Sequence, residues 1–98
     1  MYPVKRIEIV ATSAEMAKII KVLDKAEVPG YSVIENVTGK GHWGTVSDEL
    51  NLGSSKLGNF YLICFCSQEQ LDFVAAAIKP IFKKYGGVCY ISDALKVN

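Results

Sequence analysis

Arginine, histidine and tryptophan are nearly missing from this 98-residue sequence, which holds one of each: Arg6, His42 and Trp43. A single arginine, placed in an alternating segment and outside any glycine loop, argues against a hydrolase that clamps an acyl phosphate with a guanidinium. A single histidine leaves a metal site or a general base without clear neighbours, so His42 reads first as a loop histidine. No excess of one charge exists either: eleven basic and ten acidic residues give a net charge of +1, with no basic run to neutralise a nucleic-acid backbone. Nucleic acid is therefore not expected as a partner.

Long hydrophobic runs are absent. The longest, Phe60 to Cys66, is far too short to span a bilayer, and Met1 to Arg6 lacks the apolar stretch of a secretory signal. A soluble, cytoplasmic protein without direct membrane insertion is expected. Cysteines number three, an odd count, and Cys64 and Cys66 alternate along an apolar segment, so reduced thiols in the core are expected rather than disulfides or a metal knuckle. No Ser/His/Asp set, paired carboxylates or metal-binding helix can be picked out, and the protein is not expected to be an enzyme.

Half of the residues are hydrophobic, enough for one modest core but not for a deep sealed cavity. A single domain over residues 1–98 follows. Residues 5 to 12 alternate as a strand, with Ile7, Ile9 and Ala11 on one face. Ser13 is placed to cap a helix in which Met16, Ile19, Ile20 and Leu23 recur at helical spacing, until Pro29-Gly30 stops it. Lys18, Lys21 and Lys25 are expected to face water. A second strand runs from Tyr31 to about Val37.

Phe60 to Ser67 reads as a strand that is apolar on both faces. Ser67 and Gln70 form a capping box for a second helix, whose buried side takes Leu71, Val74, Ala75, Ile78, Ile81, Phe82 and Tyr85. Pro80 predicts a kink, Gly86-Gly87 closes the helix, and Val88 to Ser92 gives the last strand. The order predicts an α+β, ferredoxin-like βαββαβ fold: a four-stranded antiparallel sheet with two helices on one face. Tyr61, Ile63 and Phe65 then point from the face that the helices leave open. Exposing them would forgo on the order of 1.5–3 kcal/mol each, so a neighbouring subunit is expected to cover them.

The connection at about 38–59 is longer than a hairpin needs and holds five of the eight glycines. Its apolar members, including Trp43, Val46, Leu50 and Leu52 beside His42, suit a partner-binding loop. Gly39-Lys40-Gly41-His42-Trp43-Gly44 matches a dinucleotide fingerprint only literally, since no helical periodicity follows. What survives is a turn whose glycines let backbone N–H groups approach a phosphate beside the Lys40 charge. Lys83-Lys84-Tyr85-Gly86-Gly87 is a second such segment, readable also as an ordinary helix C-cap. Gly39, Lys40, Gly41, Lys83, Lys84, Gly86 and Gly87 are therefore candidate ligand residues, and the two segments would meet only if subunits pack side by side.

Two βαβ halves, Pro29-Gly30-Tyr31, a strand running into Gly39-Lys40-Gly41, a long connection and the Gly86-Gly87 turn together resemble the PII-like signalling proteins. The similarity covers nearly the whole chain. It is strongest to the short branch associated with bicarbonate transport and carboxysomes. The resemblance implies a homotrimer with an adenine nucleotide, whether AMP, ADP, ATP or cyclic AMP, in clefts between subunits. It also implies a T-loop at about 38–59 that signals to a membrane transporter or an enzyme.

Gly39, Lys40 and Gly41 match the base of that loop, and Gly86 and Gly87 match the short B-loop. The sequence departs from the nitrogen-regulatory members in lacking a glycine-lysine-rich B-loop, C-terminal arginines and a loop tyrosine. His42 and Trp43 stand where the bicarbonate-associated branch has arginines. These departures remove charge from the phosphate site. Two alternatives stand beside this reading: a metal-responsive trimer similar to the divalent-cation tolerance proteins, and an acylphosphatase-like hydrolase.

Overall fold

The computed structural model describes residues 1–39 and 58–98. Strand β1 (Tyr2–Thr12) leads through a 3-10 turn (Ser13–Glu15) into helix α1 (Met16–Ala26) and strand β2 (Tyr31–Val37). Strand β3 (Asn59–Cys66), helix α2 (Gln68–Tyr85) and strand β4 (Val88–Lys96) repeat the pattern. The sheet has the order β2-β3-β1-β4 with every neighbouring pair antiparallel, which is the ferredoxin-like arrangement expected.

The core lies between the helices and one face of the sheet. Period-2 alternation sends Ile7, Ile9 and Ala11 of β1 and Phe60, Leu62 and Cys64 of β3 to the same side, where all are buried. Ile19 and Leu23 of α1 and Leu71, Val74 and Ile78 of α2 close over them. Burial of each large side chain contributes about 1.5–3 kcal/mol, and these residues dominate what holds the helices to the sheet.

Several local expectations change. Ser13 does not cap α1: it opens the 3-10 turn, and its backbone N–H is spent on the carbonyl of Gly58 at 2.7 Å. α1 starts at Met16 without a side-chain cap and ends before Pro29-Gly30, on Glu27 in the left-handed region at φ 58°. β1 begins at Tyr2 rather than Lys5. Pro3 is tolerated there because β1 pairs only with β4 at that point, the β3 ladder starting at the Lys5–Cys66 pair. β4 runs on past Ser92 to Lys96, with Asp93 bonded to Lys5 across the strands.

The Ser67–Gln70 capping box is formed in both directions, at 3.1 and 2.9 Å. Gln70 also donates to the Glu27 carbonyl at 2.8 Å and so pins the end of α1 to the start of α2. Pro80 lies inside α2, which continues to Tyr85. Tyr85 itself was expected on the buried side and is instead 37% exposed, its phenol drawn outward by lysines.

Candidate functional site

Strand directions decide which ends meet. β1 and β2 both run antiparallel to β3, so the end of β1, the end of β2 at Gly39, the start of β3 and the α2–β4 turn all lie at one end of the sheet. Gly39 and Gly86-Gly87 therefore share an end but not an edge. β2 and β4 are opposite edge strands, separated by β3 and β1, which places Gly39 and the Gly86-Gly87 turn roughly 14 Å apart at ordinary strand spacing. Lys40, Gly41, His42, Trp43, Val46, Leu50 and Leu52 lie outside the described residues.

The Gly86-Gly87 turn is a built feature. Both residues have positive φ, 84° and 124°, and the Gly86 N–H closes α2 on the Phe82 carbonyl at 2.8 Å. A Cβ on Gly87 would lie 2.8 Å from the Phe82 ring and 3.3 Å from the Ala11 methyl, so the turn presses bare backbone against the core. Just before it, the Lys18 ammonium stands 4.2 Å and the Lys84 ammonium 5.2 Å from the centre of the Tyr85 ring. The neighbouring ammonium groups, Lys84 first and then Lys18, hold the Tyr85 hydroxyl below its ordinary pKa. Lys18 also donates to Glu15 Oε1 at 3.0 Å, and this carboxylate, followed by Tyr85, raises the lysine's pKa.

The meeting of Lys18 with Tyr85 escaped the reading of the sequence. They lie 67 positions apart along it, a separation no local motif spans, and only the antiparallel pairing of α1 with α2 joins them. Asn59 was missed as well. It is buried at the start of β3, and its Nδ2 donates to the Val37 carbonyl at 3.1 Å across the base of the long connection. The preceding β2 carries a register shift between Glu35 and Val37, with Asn36 at φ 60°.

The open face of the sheet is apolar around a polar centre. Phe65 is 43% exposed, while Tyr61 and Ile63 are half-buried within the subunit. Ile34 and Tyr90, not singled out from the sequence, are more exposed still at 59% and 64%. At the centre Tyr61 donates to Glu8 Oε2 at 2.6 Å, which raises the phenol's pKa, and Arg6 Nε donates to Ser92 Oγ at 2.9 Å. Arg6 is thus committed to the sheet face, away from both glycine segments, which removes the guanidinium an acylphosphatase-like site would need. Among the described residues no cluster of three metal-ligating side chains occurs. Burial first, then Cys66, pushes the Cys64 thiol up to about 12, and burial pushes Cys89 up to about 11.

An open groove of about 650 Å³ is lined by Pro3, Pro29, Gly30, Phe65, Gln70 and Leu95, at the end of the sheet opposite the glycine turn. Among the described candidate ligand residues, Gly39 follows the edge strand β2, and Lys83, Lys84, Gly86 and Gly87 precede the opposite edge strand β4. Among the described residues no helix is long and apolar enough to cross a membrane.

Residues 4–98 match the model of the family described as nitrogen regulatory protein P-II. The chain belongs to the P-II family. No curated protein matches it. Among solved structures, CPII of Thiomonas intermedia K12, a nitrogen regulatory PII-like protein bound to ADP, AMP and bicarbonate, is 26% identical with a TM-score of 0.83. That match covers 95% of this chain and 87% of CPII. A second CPII structure, bound to ADP and bicarbonate, is 27% identical with a TM-score of 0.80, over 95% of this chain and 87% of that one. GlnK of B. subtilis, at 20% identity and a TM-score of 0.65, covers 94% of this chain and 85% of its own and shares the fold. P-II membership makes the chain a regulatory protein by family, and its fold is the one on which the CPII structures carry adenine nucleotides.

Proposed function

We propose that this P-II protein is a cytoplasmic homotrimeric sensor, not an enzyme, that binds an adenine nucleotide between subunits and reports its presence to a transporter or an enzyme. Phosphate and ribose are held by Gly39, Lys40 and Gly41 of one subunit and by Lys83, Lys84, Gly86 and Gly87 of the next. The connection at about 38–59, with His42, Trp43, Val46, Leu50 and Leu52, is the partner-binding loop. Tyr61, Ile63 and Phe65 belong to the face that joins the subunits.

One observation carries this reading: Gly39 and the Gly86-Gly87 turn sit at the same end of the sheet but beside opposite edge strands. A single subunit cannot close them around one phosphate, whereas side-by-side packing sets the β2 edge of one copy against the β4 edge of another. The apolar open face supplies a reason to pack, and the ADP and AMP held by the similar CPII supply the ligand class. Signalling then requires that nucleotide bind one arrangement of the loop more tightly than another, since equal affinity shifts nothing.

Trp43 is the only tryptophan, so its fluorescence reports on the loop without labelling. Titration with AMP, ADP, ATP and cyclic AMP should change its emission and saturate for at least one of them. Absence of any response at millimolar nucleotide, with calorimetry equally silent, would remove the nucleotide reading. Bicarbonate, present together with ADP in the matched CPII structures, is the second effector to titrate in the presence of bound nucleotide.

A further inference from the structure

Two ammonium groups gathered at one phenol are an unusual arrangement for a surface. Like charges repel, and the Lys18 and Lys84 ammoniums both lie within 5.2 Å of the centre of one ring. Glu15 answers one of them through Lys18 at 3.0 Å and leaves two of that ammonium's three donors for other acceptors. Lys84 and Lys83 have no carboxylate partner among the described residues. Attraction to the ring face and the phenol oxygen offsets part of the repulsion, yet the cluster keeps a net positive charge. It directly adjoins the Gly86-Gly87 turn, at the end of the sheet where Gly39 also lies.

We propose that Lys18, Lys84 and the Tyr85 hydroxyl form the phosphate-binding corner of the ligand site, with Tyr85 as the positioning residue that holds the two ammonium groups together. This rests on the nucleotide reading above and extends it to a helix, α1, that the glycine segments do not include. A phosphate suits the corner better than a carboxylate. It carries up to two negative charges and three acceptor oxygens, enough for two ammoniums and a hydroxyl at once, with bare backbone at Gly86 beside them. The corner also supplies charge beside the turn that the single arginine cannot, since Arg6 is engaged on the sheet face.

The test is calorimetric titration of the whole chain with ADP and, separately, with adenosine, which has the same base and sugar but no phosphate. Lys18→Gln and Lys84→Gln should each weaken ADP binding about three- to tenfold and flatten its dependence on salt. Tyr85→Phe, which keeps the ring but not the hydroxyl, should weaken ADP less than Tyr85→Leu, which keeps neither. Adenosine affinity should stay constant in all four variants, and Lys25→Gln, at the other end of α1, should leave both ligands unchanged. ADP binding by Lys18→Gln and Tyr85→Leu at wild-type strength overturns the proposal while leaving the nucleotide reading intact, as does an equal loss of adenosine and ADP. A wild-type chain that binds neither ligand overturns both.

Discussion

At the scale of single residues, the most telling side chains are those whose surroundings oppose their ordinary chemistry. Cys64 is 1% exposed between β1 and the helices, and burial first, then the neighbouring Cys66, pushes its thiol from 9.0 up to about 12. An unfolded chain releases this proton near its ordinary value while the folded chain keeps it. The stability it contributes is therefore fully present below about pH 9 and is lost as pH rises toward 12. Cys89, raised to about 11, and Cys66, also raised, act in the same direction, whereas Tyr85, lowered by Lys84 and Lys18, acts in the opposite one. The melting temperature should fall between pH 9 and 11, and Cys64→Ala should melt lower at neutral pH but lose less on going alkaline. An alkaline slope identical in Cys64→Ala and wild type would contradict this assignment.

Residues also mark where the sequence could not be read. Alternation correctly separated Ile7, Ile9 and Ala11 from Arg6 and Glu8, because a strand's period is two and one face is buried. Tyr85 was misplaced because helical periodicity continues to the last turn of α2, while the core beneath it does not. Its ring then meets one cation from α1, Lys18, a partner known only once the helices are packed.

At the scale of elements, boundaries followed from chemistry that is local and failed where it is not. The Ser67–Gln70 box forms as read because both partners lie within one turn. Ser13 does not act as a cap because it lies inside the 3-10 turn, whose start is tied to Gly58, distant in sequence, and α1 begins only at Met16. The extra lengths of β1 and β4 arise from their mutual pairing from Tyr2–Lys96 to Val10–Val88, which no single segment announces. The joint between α2 and β4 is the element most open to a test. Gly87 at φ 124° would bring a Cβ against the Phe82 ring, so Gly87→Ala should destabilise the chain by about 1–3 kcal/mol in urea unfolding. A change within a few tenths of a kcal/mol would mean that the turn relaxes freely and is not the rigid edge a phosphate site requires.

At the scale of the whole molecule, one sheet face is covered and the other is not. Helices α1 and α2 bury the side bearing Ile9 and Leu62, and the other side presents Ile34, Phe65 and Tyr90 around the Arg6, Glu8 and Tyr61 cluster. The sequence indicated this from β3 alone, whose two faces are both apolar. It could not reveal Ile34 and Tyr90, since only the register, with Ile34 opposite Tyr61 and Glu8 opposite Tyr90, brings them onto the same surface. Family, fold and open face all bear on one central claim, that subunits associate through this face and so complete ligand clefts at their edges.

Light scattering on the purified chain, at micromolar concentration and with Ile34→Asp alongside, tests that claim most directly. Wild type should have the mass of three chains of 10.7 kDa, and the variant, with a charge in the apolar face, should shift toward one. A wild-type chain that stays monomeric and stably folded at that concentration would contradict the account.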